Sequence, residues 1–212
     1  MSDPIPTDLV MRHVIAALVT NEPGVLAQVA GMFAARGFNI DSLVVGRTEN
    51  PELSRMTIVV TGDDATLEQV RKQLQKLVPV VKVVDYQDVA YVERDLVLVQ
   101  VSTKGTVNSG GSASGGGDAD KREEIITLAN LFRARIVDVA SDQVMIEVAG
   151  DEEKLAAFLA LLEPYGVIEL ARTGVIAMRR GGQSAFRRVA LARAAAAEPD
   201  GPGIDAADLP PG

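Results

Sequence analysis

The 212-residue sequence has no cysteine, no tryptophan and a single histidine. Without cysteine there can be no disulfide framework and no thiolate nucleophile. One histidine excludes the histidine clusters that bind transition metals. Aromatic residues make up only 4% of the chain, so the predicted core consists of Val, Leu, Ile and Ala.

Positive charge is also scarce. Lysine and arginine number 21 against 29 acidic residues, which gives a net charge of −8. Proteins that bind nucleic acid display basic faces, so no nucleic-acid partner is predicted. No apolar run reaches the length of a membrane span, and residues 1–7 lack an apolar signal segment. We therefore expect no membrane association and a cytoplasmic location.

The residues capable of catalysis are few. His13 directly precedes the first apolar run, and we expect it to be a strand-end residue near the surface rather than a catalytic one. The acidic clusters at 63–64, 123–124 and 151–153 precede or begin helical patterns, where carboxylates stabilise helix N-termini. The sequence predicts no catalytic residue, no metal site and no cofactor in this chain.

Residues 13–90 alternate between strand and helix patterns. The order is strand, helix, strand, strand, helix, strand, with predicted strands at 13–20, 39–47, 54–61 and 80–84 and helices at 25–36 and 65–77. This order is typical of the ferredoxin-like βαββαβ unit, an antiparallel sheet with both helices on one face.

The same order recurs in residues 91–181. Predicted strands lie at 95–102, 136–140, 144–148 and 167–171, with helices at 121–134 and 151–162. Phe33-Ala-Ala-Arg36 and Phe132-Arg-Ala-Arg135 both end the first helix of their unit, which supports a duplicated plan. The predicted fold class is therefore α+β, with two ferredoxin-like domains at 13–90 and 91–181.

Three segments have compositions that do not favour a packed core. We expect residues 1–12 to be a flexible N-terminus, and 105–120, which is rich in Gly and Ser, to be a flexible loop. The loop lacks the Gly-Lys-Ser/Thr ending of a phosphate-binding loop. Residues 182–212 are predicted to be a disordered tail, although 184–197 could form a basic, alanine-rich helix.

The stretch 20–43 carries the strongest indication of a binding site. Pro23 and Gly24 open the first helix, whose unpaired N–H groups and positive dipole end could receive the carboxylate of a small ligand. Each residue also has a purely structural interpretation. The role of Asn21 could be simply to cap the helix, and that of Gly24 simply to allow the turn. Asn39 could simply form a hydrogen bond within its own turn.

Three motifs together resemble a known family. Asn21-Glu-Pro-Gly-Val-Leu26, Arg36-Gly-Phe-Asn-Ile-Asp-Ser-Leu43 and Leu53-Ser-Arg-Met-Thr-Ile-Val-Val60 are similar to the ACT domain of the regulatory (small) subunit of acetohydroxyacid synthase, also called acetolactate synthase. The first motif alone marks a generic ACT domain, whereas the three in order are specific. The resemblance runs from about residue 13 to about residue 181, and thus makes the first predicted domain an ACT domain.

The resemblance implies a non-catalytic subunit that activates a separate thiamine-diphosphate-dependent catalytic subunit in branched-chain amino-acid synthesis. Thiamine diphosphate, magnesium and FAD would belong to that partner. It also implies feedback inhibition, typically by valine, bound where the ACT domains of a homodimer meet. The implied effector-binding residues are Asn21, Gly24, Val25 and Leu26 of one chain with Asn39 and Ile40 of its neighbour.

Each of these residues has an expected role. The N–H groups of Gly24, Val25 and Leu26 would bind the effector carboxylate, and any Cβ at Gly24 would crowd it. The side-chain oxygens of Asn21 and Asn39 would accept from the ammonium.

Leu26 and Ile40 would line the pocket for the apolar side chain of the effector.

Two regions are candidates for contact with the catalytic subunit, the turn at 49–53 and the second domain, and the sequence does not choose between them. Two alternatives also stay open: a free-standing ACT amino-acid sensor that controls a different enzyme or regulator, and an enzyme in its own right.

Overall fold

The computed structural model describes residues 11–104, 118–181 and 186. The chain forms two βαββαβ units followed by a short ninth strand, which confirms the predicted α+β class. The first unit comprises β1 (Met11–Thr20), α1 (Val25–Ala34), β2 (Ser42–Arg47), β3 (Leu53–Gly62), α2 (Asp64–Leu74) and β4 (Val80–Asp85). The second comprises β5 (Tyr91–Ser102), α3 (Asp118–Leu131), β6 (Arg135–Val139), β7 (Gln143–Gly150), α4 (Glu152–Leu162), a 3₁₀ turn (Glu163–Tyr165), β8 (Val167–Arg172) and β9 (Ile176–Arg179).

Both sheets have the ferredoxin-like strand order. The first is ordered β2-β3-β1-β4 and the second β6-β7-β5-β8, with β9 pairing separately with β5. All pairs are antiparallel, and Ile15 of β1 lies opposite Ile58 of β3. Strand β2 is an edge strand, so one row of its backbone groups has no partner within this sheet.

The helices pack on one face of the first sheet. Every second residue of β1 points toward them, because strand side chains alternate between the two faces. Buried residues of α1 and α2 recur at helical spacing and complete this core: Val25, Val29, Met32, Phe33, Leu67, Val70 and Leu74. Burial of each large apolar side chain contributes about 1.5–3 kcal/mol. The second unit repeats the arrangement around Val99, Ile146 and Phe158.

The other face of the first sheet is covered by the C-terminal part of the chain. Val14, Ala16 and Leu18 of β1 pack in one buried cluster with Ala177 of β9 and with Phe186. β9 reaches this position because it pairs with the first four residues of β5, whereas the remainder of β5 belongs to the second sheet. The two units are therefore joined through one long strand.

Arg55 holds this covering segment to the first sheet. Its guanidinium donates hydrogen bonds to the Tyr86 hydroxyl and to the Ala177 carbonyl, and it lies 4.8 Å from the ring centroid of Phe186. Burial raises the pKa of the Tyr86 phenol above its ordinary value of 10.0, although Arg55 counteracts the rise. The phenol is thus a neutral hydrogen-bonding group at neutral pH.

A close approach between the units requires glycine at position 174. Gly174 has φ +87°, and a Cβ there would lie 2.7 Å from Ser42 Oγ and 2.8 Å from Val44 Cγ2. The next residue, Val175, donates its N–H to Ser42 Oγ at 3.1 Å. Gly174 N also donates to the carboxylate of Asp95 at 3.1 Å. A side chain at 174 would push β2 away from the second unit.

Several predicted boundaries differ from the structure. β1 begins at Met11 rather than at 13, so the last two residues of the predicted flexible N-terminus are strand residues. α3 begins at Asp118, so residues 118–120 of the predicted loop are helical. Phe186, within the predicted tail, is only 7% exposed. The other parts of those three predicted segments, including most of the possible helix at 184–197, lie outside the described residues.

The prediction that His13 lies near the surface was wrong. The side chain is 3% exposed, not near the surface, and Nε2 lies 3.1 Å from the carbonyl oxygen of Gly62 on the neighbouring strand. The extension of β1 to Met11 places His13 inside the sheet, where this hydrogen bond satisfies the ring. Among the described helices, none is long and apolar enough to cross a membrane.

Candidate functional site

The loop between β1 and α1 is shaped by Gly24. This residue has φ +84° and ψ −11°, a left-handed conformation that glycine adopts without strain, and it is the N-cap of α1. The Gly24 carbonyl accepts the first helical hydrogen bond from Gln28 N at 3.0 Å. A Cβ at Gly24 would meet nothing within 4 Å in the described chain. The structure therefore favours glycine here for its backbone conformation and not for lack of space.

The N-terminus of α1 differs from those of α2 and α4. Asp63 and Asp151 cap the latter two and accept hydrogen bonds from Thr66 N at 2.7 Å and Lys154 N at 2.9 Å. α1, by contrast, has no side-chain cap among the described residues and no acidic residue in its first turn. Its N–H groups and dipole thus have no anionic partner in the described chain.

Asn21 is held by three hydrogen bonds to the β2–β3 hairpin, two to the connecting segment and one to Ser54 of β3. Its backbone N donates to the Glu52 carbonyl at 2.8 Å, and its side-chain Nδ2 donates to the Pro51 carbonyl at 3.0 Å. Its Oδ1 accepts from the Ser54 hydroxyl at 3.0 Å. Asn21 therefore does not cap α1; it fastens the loop before α1 to the β2–β3 hairpin.

The apolar members of the predicted site are divided between core and surface. Val25 is 4% exposed and packs in the core, so its side chain cannot contact a ligand at the surface. Leu26 is 47% exposed, although it is a large apolar side chain at the first turn of a helix. Ile40 is partly buried and packs against the first core. Leu26 is thus the member with most apolar surface free for a ligand or a second chain.

Asn39 lies far from Asn21 within one chain. Its Nδ2 donates to Asp41 Oδ1 at 2.9 Å, and the other oxygen of Asp41 accepts from the Thr61 hydroxyl at 2.6 Å. Thr61 and Ser54 are seven residues apart on β3, or about 23 Å at roughly 3.3 Å per residue. Asn39 and Asn21 therefore lie at opposite ends of the sheet and cannot contact one small ligand in the same chain.

A second concavity lies between the two units. This cleft of about 450 Å³ is lined by both units, including Arg12, Asp41 and Arg172. Arg12 pairs with Glu93 at 3.0 Å and with Glu152 at 2.7 Å. Arg172 pairs at 2.6 Å with Asp95, whose carboxylate is also bonded by Thr173 and Gly174. The two Arg12 pairs connect the first unit to the second, whereas the Arg172–Asp95 pair lies within the second unit.

The chemistry available at the N-terminus of α1 is binding rather than catalysis. Backbone amides can donate to an anion but cannot transfer a proton or attack a substrate. Across residues 11–104, 118–181 and 186, no group of three or more His, Cys, Asp or Glu side chains could hold a metal ion. What the loop can do is recognise a small carboxylate.

Sequence reasoning missed the partners that orient this site. Ser54 and the carbonyl of Pro51 fix the side chain of Asn21, and Asp41 fixes that of Asn39. Ser54 lies 33 residues after Asn21 in the sequence. The pairing of Val19 with Ser54 between β1 and β3 brings them together, and no local pattern contains this register.

Comparison with known proteins agrees with this fold along most of the chain. Residues 15–82 match the ACT domain found in acetohydroxyacid synthase small subunits, and residues 116–181 match the family described as the small subunit of acetolactate synthase. The probable acetolactate synthase small subunit of Archaeoglobus fulgidus is 53% identical over 173 residues, covering 82% of this chain and 99% of the relative. The acetolactate synthase small subunit of Mycolicibacterium smegmatis is 45% identical over 181 residues, covering 85% and 95%.

A solved structure gives the same result. The crystal structure of the acetolactate synthase small subunit from Thermotoga maritima is 40% identical, with a TM-score of 0.68, and the match covers 82% of this chain and 100% of that one. The fold and these matches define an ACT-domain regulatory protein followed by a second ferredoxin-like unit.

More narrowly, the chain belongs to the acetolactate synthase small-subunit family. These proteins are the regulatory, non-catalytic subunits of the enzyme of branched-chain amino-acid biosynthesis and partner its large catalytic subunit. Membership in this family disfavours both a free-standing sensor and an independent enzyme.

Proposed function

We propose that this subunit stimulates its catalytic partner and makes it sensitive to feedback inhibition by valine or another branched-chain amino acid. The observation that carries the proposal is the N-terminus of α1, which has no acidic cap from any residue that the structure describes, unlike α2 and α4. The amides of Gly24, Val25 and Leu26 bind the effector carboxylate. A left-handed Gly24 directs the chain into the helix without a side chain in front of those amides.

The remaining groups of the effector bind to residues of two chains. The ammonium interacts with the side-chain oxygens of Asn21 and of the partner's Asn39. The apolar side chain packs between Leu26 and Ile40. Because Asn21 and Asn39 lie at opposite ends of one sheet, a complete site needs a second copy in which the ends are reversed. An antiparallel two-fold arrangement of ACT domains has this property.

The surface beside the site suits such pairing. β2 is an edge strand of the described sheet, so one row of its backbone groups has no partner within that sheet, and Val45 on it is 44% exposed. The exposed side of α1 carries the small residues Ala27, Gly31 and Ala34, so a second helix can approach closely. Two chains therefore extend the sheet through β2, with the α1 helices side by side.

A site made by two chains links effector binding to the arrangement of the dimer. Valine inhibits only if it binds the inhibiting arrangement more tightly than the stimulating one. Thiamine diphosphate, magnesium and FAD belong to the catalytic subunit in this account, and the whole complex works in the cytoplasm. The hairpin turn at 49–53 and the second unit remain the candidate surfaces for contact with the catalytic subunit.

The test is pyruvate condensation by the catalytic subunit, measured with and without this protein. Valine, leucine and isoleucine are titrated separately. We expect a higher rate when the protein is added, and a decline with at least one of the three amino acids. An unchanged rate, or stimulation that none of the three reduces, would contradict the proposal.

A further inference from the structure

We propose that Ser54 is a positioning residue of the effector site, because its hydroxyl fixes the acceptor oxygen of Asn21 that receives the effector ammonium. This inference rests on the proposed function of the loop at 21–26. It adds a residue from β3, outside that loop, and assigns it an effect on effector affinity through Asn21.

The two hydrogen bonds of the Asn21 side chain define which atom is the oxygen. The carbonyl of Pro51 can only accept, so the atom 3.0 Å from it must be the NH₂ group of Asn21. The amide oxygen then faces Ser54, whose hydroxyl donates to it at 3.0 Å. An amide oxygen has two lone pairs, so Oδ1 keeps one for the ammonium of a ligand.

Ser54 is itself held firmly. It is 5% exposed and lies in β3, opposite Val19 of β1 and Arg47 of β2. Asn21, in contrast, is an exposed loop residue whose side chain is otherwise held only by the Pro51 carbonyl. A buried strand hydroxyl therefore fixes the rotamer of an exposed ligand-binding amide before the ligand arrives, which reduces the entropy lost on binding.

The same contacts have a simpler interpretation, in which Ser54 only fastens the loop to the hairpin. The backbone bond from Asn21 N to Glu52 O, at 2.8 Å, already makes that connection and does not involve Ser54. If Ser54 only fastens the loop, this backbone bond keeps the loop in place and Ser54→Ala leaves valine affinity unchanged, whereas a positioning role makes Ser54→Ala bind valine more weakly. If Ser54 acts through the Asn21 amide, its effect on valine affinity must disappear when Asn21 lacks that amide.

The experiment is a double-mutant cycle on the full chain, with L-valine binding measured by calorimetry. Ser54→Ala is expected to raise the Kd about three- to tenfold, as for the loss of one hydrogen bond. In an Asn21→Ala background, Ser54→Ala should change the Kd by less than about twofold. Ser54→Cys, which keeps the size of the side chain but is a weak donor, should resemble Ser54→Ala.

The matched control is Ser102→Ala in the second unit, which also removes a serine hydroxyl bonded at 3.1 Å to the carbonyl of Lys104. We expect it to leave valine affinity unchanged. If Ser54→Ala and Ser54→Cys both bind valine as the wild type does, or if the effects of Ser54→Ala and Asn21→Ala add, the positioning role is wrong. If the wild-type chain binds neither valine, leucine nor isoleucine, the proposed function itself fails.

Discussion

Replacing Gly24 by aspartate tests the proposed carboxylate site through charge. A residue other than glycine at φ +84° costs about 1–2 kcal/mol of stability, and a Cβ there meets no neighbour within 4 Å. An acidic N-cap recovers about 0.3–1 kcal/mol from the helix dipole. The free energy of unfolding should therefore fall by only about 1 kcal/mol, so Gly24→Asp is expected to fold.

The effect on effector binding should be much larger. Two carboxylates about 4 Å apart repel by roughly 4 kcal/mol at an effective dielectric constant near 20. Since 1.4 kcal/mol is tenfold in affinity, valine should bind about a thousandfold more weakly. The expected phenotype is a subunit that still stimulates the catalytic subunit but is not inhibited by valine.

The assay is the valine concentration that halves the activity of the complex. Gly24→Asn is the matched control, because asparagine has nearly the same size, tolerates the left-handed conformation and carries no charge. It should shift the midpoint far less than Gly24→Asp does. If Gly24→Asp is inhibited at the wild-type valine concentration, the effector carboxylate does not lie at the N-terminus of α1.

Three further predictions concern the frame around the site. Arg55→Met removes two hydrogen bonds and should lower the free energy of unfolding in urea by about 1–3 kcal/mol. The control Arg47→Met, on the exposed edge strand, should change it by less than about 0.5 kcal/mol. Equal losses would contradict the role of Arg55 in holding β9 and Phe186 to the first sheet. Phe186→Ala should cost about 3–5 kcal/mol in the same measurement, because the ring is 7% exposed; a loss below about 1 kcal/mol would place Phe186 outside the core. The bond from Thr66 lowers the pKa of the Asp63 carboxyl below its ordinary value of 3.8, so its contribution to stability is complete above pH 3.8 and is lost as the pH falls through the lowered value. The stability of Asp63→Asn should therefore fall less than that of the wild type as the pH is lowered below 4. If the unfolding free energies of the two proteins fall in parallel over that range, Asp63 does not make this contribution.

Local patterns were sufficient to predict most of the helices and strands. α1 was predicted at 25–36 and ends at Ala34, and α4 was predicted at 151–162 and begins at Glu152 after its cap. These segments have apolar residues at helical spacing and clear end signals in glycine or aspartate. Where one face of a segment is buried, the spacing of its apolar residues shows whether it is a helix or a strand.

The elements that were missed depend on distant partners. β5 was predicted at 95–102, yet it begins at Tyr91, because residues 91–94 pair with β9. β9 has only four residues, and three of them, including the apolar Ile176 and Met178, are exposed. Such a strand exists because its partner and the face of the first sheet lie beside it. No window of the sequence contains that information.

α3 shows a different reason for error. It was predicted at 121–134 and is observed at 118–131. It cannot continue to 134, because Arg133 has φ +55°, which is not a helical conformation. A positive φ at a residue other than glycine is uncommon, and the sequence gives no sign of it. Phe132 and Ala134 are apolar and pack against the second core, so they continue the pattern beyond the helix.

For the candidate site, the motif residues could be named from the sequence, but their geometry could not. The backbone at Gly24 adopts the conformation that glycine favours, yet the expected reason for glycine, crowding by a Cβ, concerns a ligand and stays a prediction. The opposite placement of Asn21 and Asn39 follows from the sheet register. So does the bond from Ser54 to Asn21. Register between distant strands is a tertiary property that neighbouring residues do not determine.

The most direct test of the account is a crystal structure of this subunit grown with saturating L-valine. One amino acid should lie at each α1 N-terminus, with its carboxylate within hydrogen-bonding distance of the Gly24, Val25 and Leu26 amides. Its ammonium should lie between Asn21 and the Asn39 side chain of a second copy. Valine bound elsewhere, or an α1 N-terminus that is empty and distant from any second chain, would contradict the central claim.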